Sequence, residues 1–324
     1  MFLWLTALAL AAAPAKSGAC AFDSTDKTWI EQALRNWRTS ESAILKLKPA
    51  PLPTIVAIDA SCTHIGRAAS RAAIRWNSTA HPAGMVTLPD GKNAPIGPIS
   101  FAAPDNGAAR TGFFAISLPS VWRTSGVTSE IGLEQLMDGV LLHELMHTRQ
   151  FYFVNPALTA LGRKYHFGDD MSDDALQDKF KSDSAYVAAY QAETDMLYAA
   201  AAAASDAEAR RLAGKALAMM RARRARWFEA ENAQWEPLDD IFLTMEGLGQ
   251  WLAYAWFVSP QGPGLDHQAA IAAVRRKRNL WTQDEGLGLF LVIDRLVPRW
   301  QTLAFAKHPA LAEALLAKAA DGPR

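Results

Sequence analysis

Apolar positions change their spacing along this chain, and the change divides it into regions. Phe2 to Ala13 is apolar apart from Thr6, a run about as long as a signal-peptide core and too short to span a bilayer. Further on, Trp29, Ala33, Leu34, Trp37 and Ile44 recur at helical spacing and predict an amphipathic helix over Thr28 to Lys46. Thr54-Ile55-Val56-Ala57-Ile58 is a short β-type run. Met85 to Arg123 is broken by proline, glycine and turn signals such as Pro89-Asp90-Gly91, and within it Gly112 to Leu118 is the best strand candidate. Everything after Ser129 has helical patterning. Glu130 to Val154 contains no proline, with Ser129 as a cap and Asn155-Pro156 as a stop. The alanine run Ala199 to Ala204 adds helix propensity rather than chemistry. The expected fold class is α+β. A signal peptide over 1–19 precedes a small N-terminal twisted sheet with loops over 20–128. A predominantly helical lobe follows over 129–324, with the helix after Ser129 at the junction.

Composition narrows the function classes. The chain has 324 residues, half of them hydrophobic and 20% charged, which is a folded globular composition with room for one large domain or two lobes. Lysine plus arginine and aspartate plus glutamate both number 33, so no global field favours nucleic acid or anionic lipid. The basic clusters Arg221-Ala222-Arg223-Arg224 and Arg275-Arg276-Lys277-Arg278 have acidic residues nearby and read as solvated helix faces. Ala13-Pro14-Ala15 and Ser17-Gly18-Ala19 both fit a signal cleavage site. The expectation is an exported protein, periplasmic or secreted, with no stable membrane insertion after cleavage. Cys20 and Cys62 are the only cysteines; in that compartment they can form one disulfide, and two free thiols is the alternative.

The chemistry is concentrated in His143-Glu144-Leu145-Met146-His147. Two histidines four apart on a helix project from one face, so both imidazoles can reach one metal. Glu144 is offset around the helix and can act as general base toward water, the arrangement of a zinc hydrolase. A chance match to so short a motif has a probability of roughly 1% here.

A small sheet followed by an H-E-x-x-H helix and further helices resembles the zincin metallopeptidases. The resemblance implies a peptide or protein substrate lying along an edge strand, for which Phe113 to Leu118 is the candidate. Zn2+ then needs a third protein ligand. No histidine stands in Thr148-Arg149-Gln150-Phe151-Tyr152-Phe153, and His166 is too far along for the metzincin spacing, which favours the gluzincin type with a downstream glutamate. Glu246, in Met245-Glu246-Gly247-Leu248-Gly249-Gln250-Trp251-Leu252-Ala253-Tyr254, resembles the W-L-x-E-G-x-A-x-Y segment of the aminopeptidase branch. It lies 99 residues beyond His147, so a large helical insertion is required. Gly247 and Gly249 are read as letting its helix approach the metal helix. The alternative ligand Glu193, 46 residues downstream, resembles A-E-x-x-A segments of other gluzincins. Glu285 repeats the E-G-L-G tetrapeptide and is the third contender. The family's oxyanion-stabilising residue has four candidates here, Tyr254, Tyr190, Tyr152 and His166. The expected function is a zinc-dependent metallopeptidase. A metal-binding protein without proteolysis, a zinc hydrolase of a non-peptide amide or ester, and a structural helical protein stay open.

Overall fold

Asp23 starts the first helix by accepting hydrogen bonds from the backbone N–H groups of Thr25 and Asp26, the usual work of an N-cap aspartate. The computed structural model describes residues 20–70, 73–81, 84–104, 112–167, 171–275 and 278–322. The expected signal segment therefore lies outside the described residues, as do Arg276 and Lys277. Helix α1 spans Ser24–Thr39 and buries Ile30, Ala33, Leu34 and Trp37; it begins four residues before the expected start because Asp23 supplies the cap. A wide turn, Ser40–Ile44, continues it. Strands β1 (Thr54–Ile58), β2 (Cys62–Ala68), β3 (Ile74–Ala80), β4 (Met85–Thr87), β5 (Asn93–Pro95), β6 (Ser100–Pro104) and β7 (Gly112–Ser117) follow. The α-helices after them are α2 (Pro119–Thr124), α3 (Leu133–Tyr165), α4 (Ala175–Phe180), α5 (Ser184–Ala201), α6 (Asp206–Trp227), α7 (Trp235–Val258), α8 (His267–Arg275) and α9 (Trp281–Leu296). Two more, α10 (Gln301–Ala304) and α11 (Ala312–Asp321), end the described chain. The class is α+β, as expected. Among the described residues no helix is long and apolar enough to cross a membrane.

The chain divides into two compact units, Met1–Tyr152 with Leu252–Ala273 and Phe153–Trp251 with Val274–Arg324. The first holds a five-stranded mixed sheet of order β3-β2-β1-β7-β6. β1 and β7 are parallel, and the other pairs are antiparallel. Val56, Ile58, Phe101, Phe113 and Ala115 pack with Val86 and Leu88 into its core. Here the expected edge strand is corrected. Gly112–Ser117 is buried throughout and pairs on both sides, with β1 and β6. A run with no solvent-facing polar position suits an interior strand; the edges of this sheet are β3 and β6.

The start of the described chain is fastened to this sheet by a Cys20–Cys62 disulfide. Phe22 stacks on the fully buried His64 with ring centroids 3.8 Å apart. His64 Nδ1 is 2.7 Å from Ser78 Oγ and Nε2 is 2.9 Å from Asp59 Oδ2. Ser78 lies directly opposite His64 across β2 and β3. With both ring nitrogens satisfied and Phe22 over its face, His64 braces the β1–β2 turn against β3.

The second expectation to fall concerns Pro156. The helix runs through it to Tyr165, although proline cannot donate to the carbonyl of Tyr152 and costs a helix interior about 3 kcal/mol. The residues on either side of it explain the continuation. Val154 is buried, and Ala157, Leu158 and Leu161 pack against a core of Phe180, Tyr186, Tyr190, Phe228 and Trp235 in the second unit.

That unit also overturns the reading of Arg221 to Arg224 as a solvated face. Arg223 and Arg224 are 2% and 3% exposed, because α6 is packed on more than one side and only Arg221 projects outward. Arg223 donates to both oxygens of Glu193 at 2.7 and 3.1 Å, to Glu285 Oε1 at 3.1 Å and to the Tyr186 hydroxyl at 2.8 Å. Arg224 donates to Asp239 Oδ2 at 3.0 Å and Glu313 Oε2 at 2.6 Å. In the second basic cluster, Arg275 and Arg278 both bind the carboxylate of Asp284.

Candidate metal centre

The H-E-x-x-H residues lie in the middle of α3, with the fully buried Leu141 and Leu142 before them and Leu145 and Met146 between Glu144 and His147. The helix starts after Gly132, whose φ of +90° takes a backbone conformation that glycine tolerates best. Ser129 therefore serves the preceding turn, its hydroxyl accepting from the N–H of Ile131 at 3.3 Å, rather than capping α3 itself.

His143 and His147 are 6% and 2% exposed. Their rings stand at 88° with centroids 4.6 Å apart, and the two Nε2 atoms are 3.0 Å apart. His147 Nδ1 lies 3.0 Å from Gln150 Oε1. An amide oxygen can only accept, so Nδ1 carries a proton, and the neutral form of the ring then presents its lone pair at Nε2. Glu144, 4% exposed, brings a carboxylate oxygen to 4.0 Å from His147 Nε2.

Glu246 is fully buried on α7. Gln283 Nε2 donates to Glu246 Oε2 at 3.2 Å, and Gln250 Nε2 donates in turn to Gln283 Oε1. The glycine beside Glu246 does not serve the approach to the metal helix read from the sequence. A Cβ on Gly247 would stand 2.7 Å from the carbonyl oxygen of Gly286, and one on Gly286 would stand 2.6 Å from the Cα of Gly247. The two E-G-L-G tetrapeptides thus cross each other, α7 against α9, backbone on backbone. Burial, with the charges of Glu246 and Asp174 adding to it, pushes the Asp173 carboxyl well above the usual carboxylate range.

One ligand atom from each of His143, His147 and Glu246 lies within 4.8 Å of the others, and all three residues are buried. In a tetrahedral zinc site with Zn–N distances of about 2.0–2.1 Å, neighbouring nitrogens stand about 3.3 Å apart. The 3.0 Å separation of the histidine nitrogens is close to that value. Two imidazole lone pairs repel at this range, and a proton on one ring or a cation beside both reconciles them. Two nitrogens with one carboxylate form a donor set that suits zinc.

The other sequence candidates stand as follows in the fold. Glu193 and Glu285 are both held by Arg223. Tyr190 donates its hydroxyl to the carbonyl of Trp281 at 2.8 Å, and Tyr254 pairs with His267 Nδ1 at 2.5 Å. Burial raises the Tyr152 hydroxyl above its ordinary range. His166 is exposed just past the end of α3. Gln150 and Gln283 are residues that the sequence reading missed. Gln150 was findable, standing three positions beyond His147 on the same helix; Gln283 carries no local signal. Comparison with protein-family models, curated proteins and solved structures returned no match to this chain.

Proposed function

We propose that the chain is a zinc-dependent peptidase of the zincin kind, with His143, His147 and Glu246 as metal ligands and Glu144 as general base. The observation that carries this reading is the pair of buried imidazole nitrogens on the H-E-x-x-H helix with a Glu246 oxygen within 4.8 Å. When bound, zinc would polarise a scissile carbonyl and make water more acidic. Glu144 takes the proton from the attacking water and passes it to the nitrogen of the departing amine. His147 is kept by Gln150 in the tautomer that offers Nε2.

Zinc content and hydrolysis of a mixture of unstructured peptides test the assignment together. Glu144→Gln should keep about one zinc per chain while losing at least ~10²-fold in rate, the scale of a lost general base. His143→Ala and His147→Ala should lose the metal. Full zinc in both histidine variants, or an unchanged rate in Glu144→Gln, rejects the assignment.

A second reading, a metal-binding protein without proteolysis, draws on the burial of the group. Glu246 and Gln150 are fully buried and the two histidines nearly so, whereas a peptidase must admit a peptide to its metal. Stoichiometric zinc without hydrolysis of any peptide in the mixture would favour it.

A further inference from the structure

The two helices that meet at Gly247 and Gly286 bring three amide or carboxylate side chains into line. Gln250 stands one turn beyond Glu246 on α7, so the two share a face. Gln283 stands in the first turn of α9, one turn before the crossing glycine. Because neither glycine has a side chain, the backbones approach closely enough for Gln283 to reach both α7 residues.

The hydrogen bonds run in one direction. Gln283 turns its NH2 group toward Glu246 and donates to Oε2 at 3.2 Å. That leaves the Gln283 carbonyl pointing the other way, where Gln250 donates to it. Turning the Gln283 amide over would set oxygen against oxygen at Glu246 and NH2 against NH2 at Gln250. Each amide thus fixes the next, and the chain ends on a carboxylate. Gln283 and Gln250 are 8% and 7% exposed, so water is a poor substitute for either.

We infer that Gln283, locked by Gln250, is the positioning residue for the metal-binding carboxylate of Glu246. The inference rests on Glu246 being a zinc ligand. It adds that the ligand is aimed from outside by a relay of neutral amides, which fixes the carboxylate without cancelling its charge. Outer partners of this kind typically change metal affinity by about 10–100-fold.

The test measures zinc affinity of the full chain by competition with a fluorescent chelator, alongside the melting temperature of the metal-free protein. Gln283→Met keeps the volume and removes the donor; it should weaken zinc binding by about 10–100-fold. Gln250→Met should weaken it less. The double variant should match Gln283→Met alone, because Gln250 acts only through Gln283. A melting temperature near wild type in the metal-free variants separates positioning from loss of fold. If Gln283→Met is poorly folded, Gln283→Asn, shorter but able to donate, serves instead and should fall between wild type and Gln250→Met with Gln283→Met combined. Wild-type affinity in Gln283→Met while His143→Ala loses zinc would overturn the relay and leave the metal site standing. Retention of zinc in His143→Ala would instead show that the metal reading itself had failed.

Discussion

Two buried glutamates in this chain, Glu193 and Glu246, are both at 0% exposure and are held in opposite ways. Arg223 grips Glu193 through two charge-assisted hydrogen bonds, and Glu285 and Tyr186 complete the arginine's shell. Glu246 is met instead by the amide of Gln283. A guanidinium satisfies a carboxylate and neutralises it; an amide satisfies it and leaves the charge available. The first arrangement is electrically closed and serves the fold. On the reading proposed above, Gln283 turns Glu246 toward a cation, whereas Arg223 holds Glu193 as a strut of the fold.

The largest effect should come from opening the closed arrangement. Arg223→Ala would leave Glu193 and Glu285 buried without their cation, and breaking a buried pair in this way costs about 3–5 kcal/mol. Urea denaturation of the metal-free variant measures it. A loss below 1 kcal/mol would mean that burial of Arg223 contributes little, and the contrast with Glu246 would collapse.

Asp138, on α3 five residues before His143, extends the comparison to a second carboxylate met by an amide, outside the proposed metal centre. Burial pushes its carboxyl up to about 7 from an ordinary 3.8, against the hydrogen bond from Asn36 Nδ2 at 3.0 Å, while the charge of Glu134 adds to the rise. The folded state therefore binds the proton more tightly than the unfolded one. The stability contributed by protonated Asp138 is complete below pH 4 and is lost as the pH rises through about 7. A shift of this size corresponds to an upper limit on the order of 4 kcal/mol. Asp138→Asn should match wild type near pH 4 and exceed it in stability above pH 7.5, as read from melting curves across that range. Parallel curves for the two proteins would show that an amide partner and its surroundings cost the charge nothing.

The smallest expected effect is at the helix crossing that carries Gln283 to Glu246. Gly286→Ala would place a methyl group 2.6 Å from the Cα of Gly247, and overpacking of this kind costs about 1–3 kcal/mol. Zinc affinity should fall with it, since the relay depends on the approach of α7 and α9. Lost stability with unchanged affinity would separate the two.

What the sequence made legible had short range. Thr54–Ile58 is apolar and β-branched, and it forms a strand over those five residues. His143, Glu144 and His147 announce themselves through a four-residue spacing. The features it concealed depend on partners far along the chain. Arg223 looked solvated because its counter-charges stand 30 and 62 residues away, at Glu193 and Glu285. Pro156 looked like a stop because local rules do not include the aromatic core that α3 joins. Phe113 to Leu118 looked like an edge because pairing on both sides is invisible in one strand. Gly247 was noticed, and its contact was assigned to the wrong helix.

The paired glycines also bear on how this chain can change. In a saturation library, 247 and 286 would behave as a single locus. Each lacks a side chain because the other's backbone fills the place, so no replacement at one position is relieved by any replacement at the other. Neighbours such as Leu248 and Leu287 have ordinary compensating choices in size. The crossing would register as two silent columns in an otherwise variable stretch, readable from sequencing of the survivors before any metal is measured.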